Sequence, residues 1–85
     1  MRGDDPNYHA HLGVALRNLG RLDKALASYD RSIALRPNDA ETHHNRGVAL
    51  QAQGKPDDAV AAYDRALALR QDYVEAWNNR GSTLS

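Results

Sequence analysis

The stretch GVALRNLGRLDKALASYDRSIALR, residues 13–36, returns 34 positions later as GVALQAQGKPDDAVAAYDRALALR, residues 47–70. Gly81 and Leu84 continue the same spacing a third time. A unit of this length holds two short helices, which cannot bury their apolar faces alone and must stack on neighbouring units. The repeat therefore predicts a stack of helical hairpins with a curved binding surface rather than a catalytic pocket.

Capping and turn residues predict where the helices begin and end. Asp5 is a suitable N-cap, Pro6 fits the first helical position, and Gly20 fits the left-handed residue after the helix. Gly54 repeats Gly20 in the second unit, and Pro37 stops the second helix. Apolar residues at spacings of three and four form helical stripes, which are Tyr8, Leu12, Ala15, Leu16 and Leu19, then Leu22, Ala25, Leu26, Tyr29 and Ile33, then Ala59, Val60, Tyr63, Ala66 and Leu67.

Composition narrows the classes of function. Eleven Lys and Arg residues balance eleven Asp and Glu residues, and the chain has no cysteine. A neutral chain lacks the positive patch that gives affinity for nucleic acid or anionic lipid. Its apolar runs are too short to span a membrane or to form a signal-peptide core. We therefore expect a cytoplasmic protein that binds neither nucleic acid nor membrane.

When the chain is aligned by its 34-residue repeat, its residues resemble those of the tetratricopeptide repeat (TPR) family. The family's small residues correspond to Gly13 with Ala25 and to Gly47 with Ala59, where two helices approach closely. Other matching positions are the second-helix aromatics Tyr29 and Tyr63, the leading aromatic Trp77 and the closing Pro37. The chain also resembles bacterial TPR arrays with an Asn-Arg-Gly core, here at residues 45–47 and 79–81, some of which precede glycosyltransferase domains.

The resemblance implies an all-α fold of five antiparallel helices, stacked as a right-handed superhelical fragment of an α-solenoid. It divides the chain into an N-terminal extension, two complete units and the first helix of an incomplete third. These four parts are residues 1–5, 6–39, 40–73 and 74–85, and the fifth helix would run from near Tyr73 to Ser85.

The resemblance also implies that the first helix of each unit lines a concave groove for an extended peptide. The residues facing that groove would be Asn7, Ala10, His11, Val14, Arg17 and Asn18, then Glu41, His44, Asn45, Val48 and Gln51, then Glu75, Asn78, Asn79 and Ser82.

Two binding modes are known in the family. In the asparagine ladder, side-chain amides bond the peptide backbone, and Asn45 and Asn79 occupy matching positions while His11 replaces the first amide. In the other mode, Lys, Arg and Asn clamp a C-terminal carboxylate. That clamp is expected to be absent, because its positions are held by Ala10, Val14, Glu41 and Glu75. An alternative is that Asn45 and Asn79 only solvate the groove or bond across neighbouring helices.

Metal binding and catalysis are not predicted. The spacing of His9, His11, His43 and His44 does not place two imidazoles on one helical face, so we expect neither metal nor other cofactor. No Ser-His-Asp order or glycine-rich phosphate loop is visible. Trp77 is interpreted as a packing residue, and the stems of Arg46 and Arg80 are expected to cover apolar surface with their heads in water.

Three functions remain open. The first is a protein-interaction scaffold, as a fragment of a longer TPR array. The second is a substrate-recruiting arm of an enzyme such as a glycosyltransferase. The third is a self-associating structural module that forms a two-fold dimer or a head-to-tail oligomer. Its contact residues would be Trp77, Gly81 and Leu84 at one end, with Tyr8, Ala15 and Leu19 at the other.

Overall fold

The computed structural model describes residues 5–84 and places five helices in them. They are α1 (Pro6–Asn18), α2 (Leu22–Leu35), α3 (Ala40–Ala52), α4 (Pro56–Leu69) and α5 (Val74–Leu84). Each helix packs on the next in the chain, and α3 also touches α1 and α5. Two hairpins, α1–α2 and α3–α4, are thus stacked with α5 after them, which confirms the predicted all-α architecture. Ser85 and the predicted extension before Asp5 lie outside the described residues.

The helix ends follow the predicted chemistry. The Asn7 backbone N–H donates to Oδ1 of the N-cap Asp5 at 2.9 Å, which satisfies one of the free donors in the first turn of α1. Gly20 and Gly54 have φ values of 78° and 77°, in the left-handed region that glycine adopts at little cost. Both glycines lie at the turn between the two helices of a hairpin, so the two hairpins share one turn geometry.

A glycine facing a tyrosine ring sets the spacing within each hairpin. A Cβ added to Gly13 would lie 2.5 Å from Cε1 of Tyr29, and one added to Gly47 would lie 2.6 Å from Cε1 of Tyr63. Both rings are fully buried. Because real Cβ atoms essentially never approach this closely, any larger residue at either glycine must displace the tyrosine ring or the helix that carries it. A Cβ added to Gly81 on α5 would meet no atom within 4 Å.

This difference gives a matched pair of substitutions. We expect Gly47→Ala to lower the free energy of unfolding by about 1 to 3 kcal/mol, because the new methyl group overlaps the Tyr63 ring. Gly81→Ala, tested beside it, should cause no loss of stability, since alanine is favoured over glycine in a helix interior by about 0.5 to 1 kcal/mol. Chemical denaturation of both variants measures the contrast. Equal unfolding midpoints for the two variants would contradict the proposed role of the Gly47–Tyr63 contact.

The predicted stripe of α1 is only partly buried. Leu12 and Leu16 are half-buried, whereas Ala15 is exposed. Tyr8 and Leu19 are 53% and 71% exposed to solvent. The inward face of α1 instead carries Gly13, which is buried. The reason is that α2 and α3 cover one side of α1, and no described helix precedes it.

Trp77 is also less buried than its predicted packing role requires. Its Nε1 donates to the Gln71 carbonyl at 2.8 Å, and 34 residues earlier His43 Nε2 bonds the Pro37 carbonyl at 3.0 Å. The two side chains therefore hold equivalent positions. His43 is buried because α4 packs on α3, but Trp77 is 52% exposed because no described helix follows α5.

An ion pair recurs between successive units. Arg46 Nε on α3 donates to Asp30 Oδ1 on α2 at 2.7 Å, and Arg80 on α5 makes the same contact with Asp64 on α4. Each arginine head is therefore held by a carboxylate, a partner that the prediction of heads in water did not include. The pairs are partly exposed, so each contributes about 0 to 1 kcal/mol. Their main effect is to orient each first helix on the preceding second helix.

Candidate functional site

The first helices α1, α3 and α5 lie side by side, and we call their predicted groove residues the first-helix surface. Its exposed members are Asn7, His11, Asn18, Glu41, Gln51, Glu75, Asn78 and Ser82. Its half-buried members are Ala10, Val14, Arg17, Asn45, Val48 and Asn79. His44 differs from both groups, because it is 6% exposed and belongs to the interior beneath the surface.

The two equivalent asparagines hydrogen-bond to neighbouring helices. Arg17 Nη1 on α1 donates to Asn45 Oδ1 on α3 at 3.4 Å, and Asn79 Nδ2 on α5 is 2.8 Å from His44 Nε2 on α3. The cross-helix bonds foreseen as an alternative to the peptide ladder are therefore present. An amide has a donor end and an acceptor end, and each of these bonds uses one end. The bonds restrict both amides before any ligand arrives.

His44 is enclosed by aromatic and polar neighbours. Its ring lies 5.8 Å from the Tyr63 ring and 5.0 Å from the Tyr73 ring, measured between centroids. Because an amide nitrogen only donates, Nε2 accepts from Asn79, and the neutral imidazole carries its proton on Nδ1. Nδ1 faces the Tyr73 hydroxyl at 3.4 Å.

Tyr73 was not predicted as a site residue. It precedes α5 and is buried against His44, with the Arg70 guanidinium 4.8 Å from its ring centroid. Its equivalent in the first unit is Asp39, so the repeat gave no sign of an aromatic residue here. The one available signal was an isolated tyrosine beside a predicted helix start.

Charges from three helices act on His44. Burial lowers the pKa of its imidazole, Glu75 and Glu41 oppose that effect, and Arg17 adds to it. Burial also raises the pKa of Tyr73, and Glu41 and Glu75 raise it further. Charged side chains of all three first helices therefore act on His44, and the net effect with burial is a lowered pKa.

The pKa shift of His44 makes stability depend on pH. Its folded pKa is below the ordinary value of 6.5, so the unfolded chain takes up a proton first as the pH falls. We expect the free energy of unfolding to be constant with respect to this group above pH 6.5 and to decrease below it. The decrease continues until the pH reaches the folded pKa, with a slope of at most about 1.4 kcal/mol per pH unit.

Thermal or urea unfolding between pH 7.5 and 5 measures this slope in the parent and in His44→Gln. The variant should have a flatter profile, whatever its absolute stability. His11→Gln is the matched control for the loss of one imidazole, because His11 is exposed on the same surface. Parallel profiles for the parent and His44→Gln would show that His44 does not titrate as described.

No three His, Asp or Glu side chains between residues 5 and 84 lie close enough together to hold a metal ion. No helix in the same part of the chain is long and apolar enough to cross a membrane.

Stacked helical hairpins with a polar surface across their first helices define an α-solenoid of the helical-repeat class. Two family models match the chain, one described as TPR repeat over residues 13–54 and one described as tetratricopeptide repeat over residues 40–73. The chain belongs to the tetratricopeptide repeat family, whose units generally act as non-catalytic protein-interaction modules. No curated protein sequence gives a significant match.

Solved TPR structures share the fold at low sequence identity. The crystal structure of MamA has a TM-score of 0.92 and 21% identity, covering 94% of this chain and 47% of MamA. The first TPR of Spaghetti (RPAP3), bound to the HSP90 peptide SRMEEVD, has a TM-score of 0.91 and 23% identity, covering 93% and 63%. YrrB, described as a TPR protein with an unusual peptide-binding site, has a TM-score of 0.90 and 24% identity, covering 93% and 41%. This chain thus spans less than two thirds of each of them.

Proposed function

We propose that the chain is a protein-interaction module whose first-helix surface binds an extended segment of a partner protein. The observation that carries the proposal is the pair Asn45 and Asn79, at the same register on adjacent first helices and each oriented by a cross-helix bond. Side chains that are ordered beforehand lose less conformational entropy on binding. The peptide complex of Spaghetti and the peptide-binding site of YrrB support this kind of ligand.

The proposed role is binding and not catalysis. A TPR unit can also serve as the arm that brings a substrate to a catalytic domain, for instance in a glycosyltransferase. In that alternative the first-helix surface would have the same ligand chemistry, because the arm would still recognise a polypeptide. The two roles therefore predict the same behaviour of Asn45 and Asn79 in a binding experiment.

Removal of both amides tests the proposed ladder. A 12-residue peptide selected from a random library on the immobilised protein provides the ligand for calorimetry. We expect Asn45→Ala with Asn79→Ala to weaken its binding by about 1 to 3 kcal/mol, because two amide-to-backbone bonds are lost. Asn38→Ala is the control, since Asn38 is exposed in the turn between α2 and α3.

Methylation of the peptide's backbone nitrogens adds a second arm to this experiment. Methyl groups at the bonded positions should weaken binding to the parent and have little effect on the double variant. Equal affinity of the parent and the double variant for the unmethylated peptide would remove the ladder while leaving binding itself in place.

Self-association is the second candidate function. Trp77 is exposed on α5 although its indole is held by the Gln71 carbonyl, and Leu84 is exposed one turn beyond Gly81. Large apolar side chains of this kind each contribute about 1.5 to 3 kcal/mol when removed from water, before the cost of association. Contact between two such faces about a two-fold axis gives a closed dimer. Contact between the α5 face of one copy and the α1 face of another, which carries Tyr8, gives an open head-to-tail oligomer.

Sedimentation equilibrium over a wide concentration range measures this property. We expect the mean mass of the parent to rise with concentration and that of Trp77→Gln with Leu84→Gln to remain monomeric. A plateau at twice the monomer mass indicates the dimer, and a continuing rise indicates the open chain. Leu35→Gln is the control, because Leu35 is exposed on α2. A parent that stays monomeric at millimolar concentration would refute self-association.

A further inference from the structure

Arg17 presents a partly buried guanidinium that has no carboxylate partner among residues 5–84. It lies in the last turn of α1, and its side-chain hydrogen bond in this part of the chain is the long contact with Asn45 Oδ1 at 3.4 Å. The other two half-buried arginines behave differently, because Arg46 is paired with Asp30 and Arg80 is paired with an equivalent aspartate. The charge of Arg17 is therefore available on the first-helix surface.

The repeat reveals what Arg17 replaces. The equivalent residue in the second unit is Gln51, and its Oε1 accepts the hydroxyl proton of Tyr63 at 2.8 Å. In the first unit, the Tyr29 hydroxyl is buried without a hydrogen-bond partner. A guanidinium has five donors and no acceptor, so Arg17 cannot take the place of the glutamine oxygen. Leaving a buried hydroxyl unpaired reduces stability.

Arg17 nevertheless lies close to this region of the interior. Burial raises the pKa of Tyr29, and the charge of Arg17 opposes that increase. The same charge acts on His44 and Tyr63 of the second unit. The guanidinium is thus directed from α1 across the first-helix surface toward α3.

The acidic residues of the surface begin at the opposite helix ends from Arg17. Glu41 and Glu75 are in the first turns of α3 and α5, whereas Arg17 is in the last turn of α1. Because successive helices run in opposite directions, α1, α3 and α5 run the same way. The Arg17 side chain reaches from the last turn of α1 to Asn45 on α3, so a ligand across the surface meets this cation together with the two carboxylates.

We propose that Arg17 is a specificity-determining residue that binds an Asp or Glu side chain within the bound peptide. This inference rests on the proposed function. A carboxylate accepts two N–H bonds from one guanidinium in a planar, bidentate arrangement, which a lysine ammonium does not reproduce. We assign the bound carboxylate to an internal side chain of the peptide and not to its C-terminus. Ala10 and Val14, which precede Arg17 along α1, provide no further cation to bind a C-terminal carboxylate.

The test selects ligands without assuming their sequence. Random 12-residue peptides, displayed with their C-termini fused to the carrier, are selected on the parent, on Arg17→Gln and on Arg65→Gln. Arg65 is exposed on α4 and is the matched control for loss of one positive charge. We expect Asp or Glu to be enriched at one position on the parent and on Arg65→Gln, and the enrichment to disappear on Arg17→Gln.

The best acidic peptide is then synthesised with a free and with an amidated C-terminus, and the amidated form is compared with its Glu→Gln form. Arg17→Gln should lower the affinity for the acidic peptide by about tenfold to a hundredfold, which is the scale of a hydrogen bond to a charged group. The affinity for the neutral form should be nearly unchanged. Arg17→Lys should bind the acidic peptide with intermediate affinity. The melting midpoint of Arg17→Gln should be equal to that of the parent or higher, because glutamine offers Tyr29 an acceptor, so weaker binding does not reflect unfolding.

Four outcomes would overturn the inference. Selection of peptides without acidic enrichment, or with the same enrichment on Arg17→Gln, refutes the role of Arg17 and leaves the peptide-binding function standing. A preference for acidic peptides that appears only with a free C-terminus assigns the charge to a terminal carboxylate instead. Failure of the parent to select any peptide refutes the binding function and the inference together.

Discussion

A tyrosine ring occupies the space that a glycine leaves by having no side chain, and this contact sets the distance between the two helices of each hairpin. A Cβ on Gly13 or Gly47 would overlap Tyr29 or Tyr63, so the close approach is possible with glycine alone. The buried Ala25 and its equivalent in the second unit add to the same packing, since small residues allow helices to approach. With the hairpin spacing set, the first helix of one unit can pack on the second helix of the unit before it.

The candidate site depends on this arrangement although no residue of the Gly–Tyr contact belongs to it. Because the hairpins have the same internal geometry, residues 34 apart occupy the same height on neighbouring first helices. Asn45 and Asn79 are therefore aligned, and Arg17 reaches the first of them while His44 reaches the second. Stacking places residues of the same repeat position in a row across the first helices. Where the repeat is not exact, as at Arg17 in place of glutamine, that position of the row has a different charge.

The sequence predicted the fold well and the site only in part. Helix bounds, the left-handed Gly20 and Gly54, and the buried tyrosines followed from local signals that act within one or two turns of a helix. Burial of His44 could not be predicted in this way, because it requires Tyr63 and Tyr73 to meet on either side of the ring. The recurring pairs of Arg46 and Arg80 with aspartates were visible as repeated residues, but the 16-residue separation of each pair has meaning only when two units are stacked.

The sequence by itself determined the repeat, the helices and the residues whose small size or ring shape lets two helices pack closely. These properties depend on near neighbours and on the 34-residue period, both of which are written in the chain. The tertiary structure alone decided which polar groups are paired, such as His44 with Asn79, and which are not, such as the buried Tyr29 hydroxyl. It also decided that the Arg17 guanidinium contacts an amide and no carboxylate among residues 5–84. The physical reason is that hydrogen bonds and charge effects act over a few ångströms, and only stacking brings side chains from three separate helices within that range.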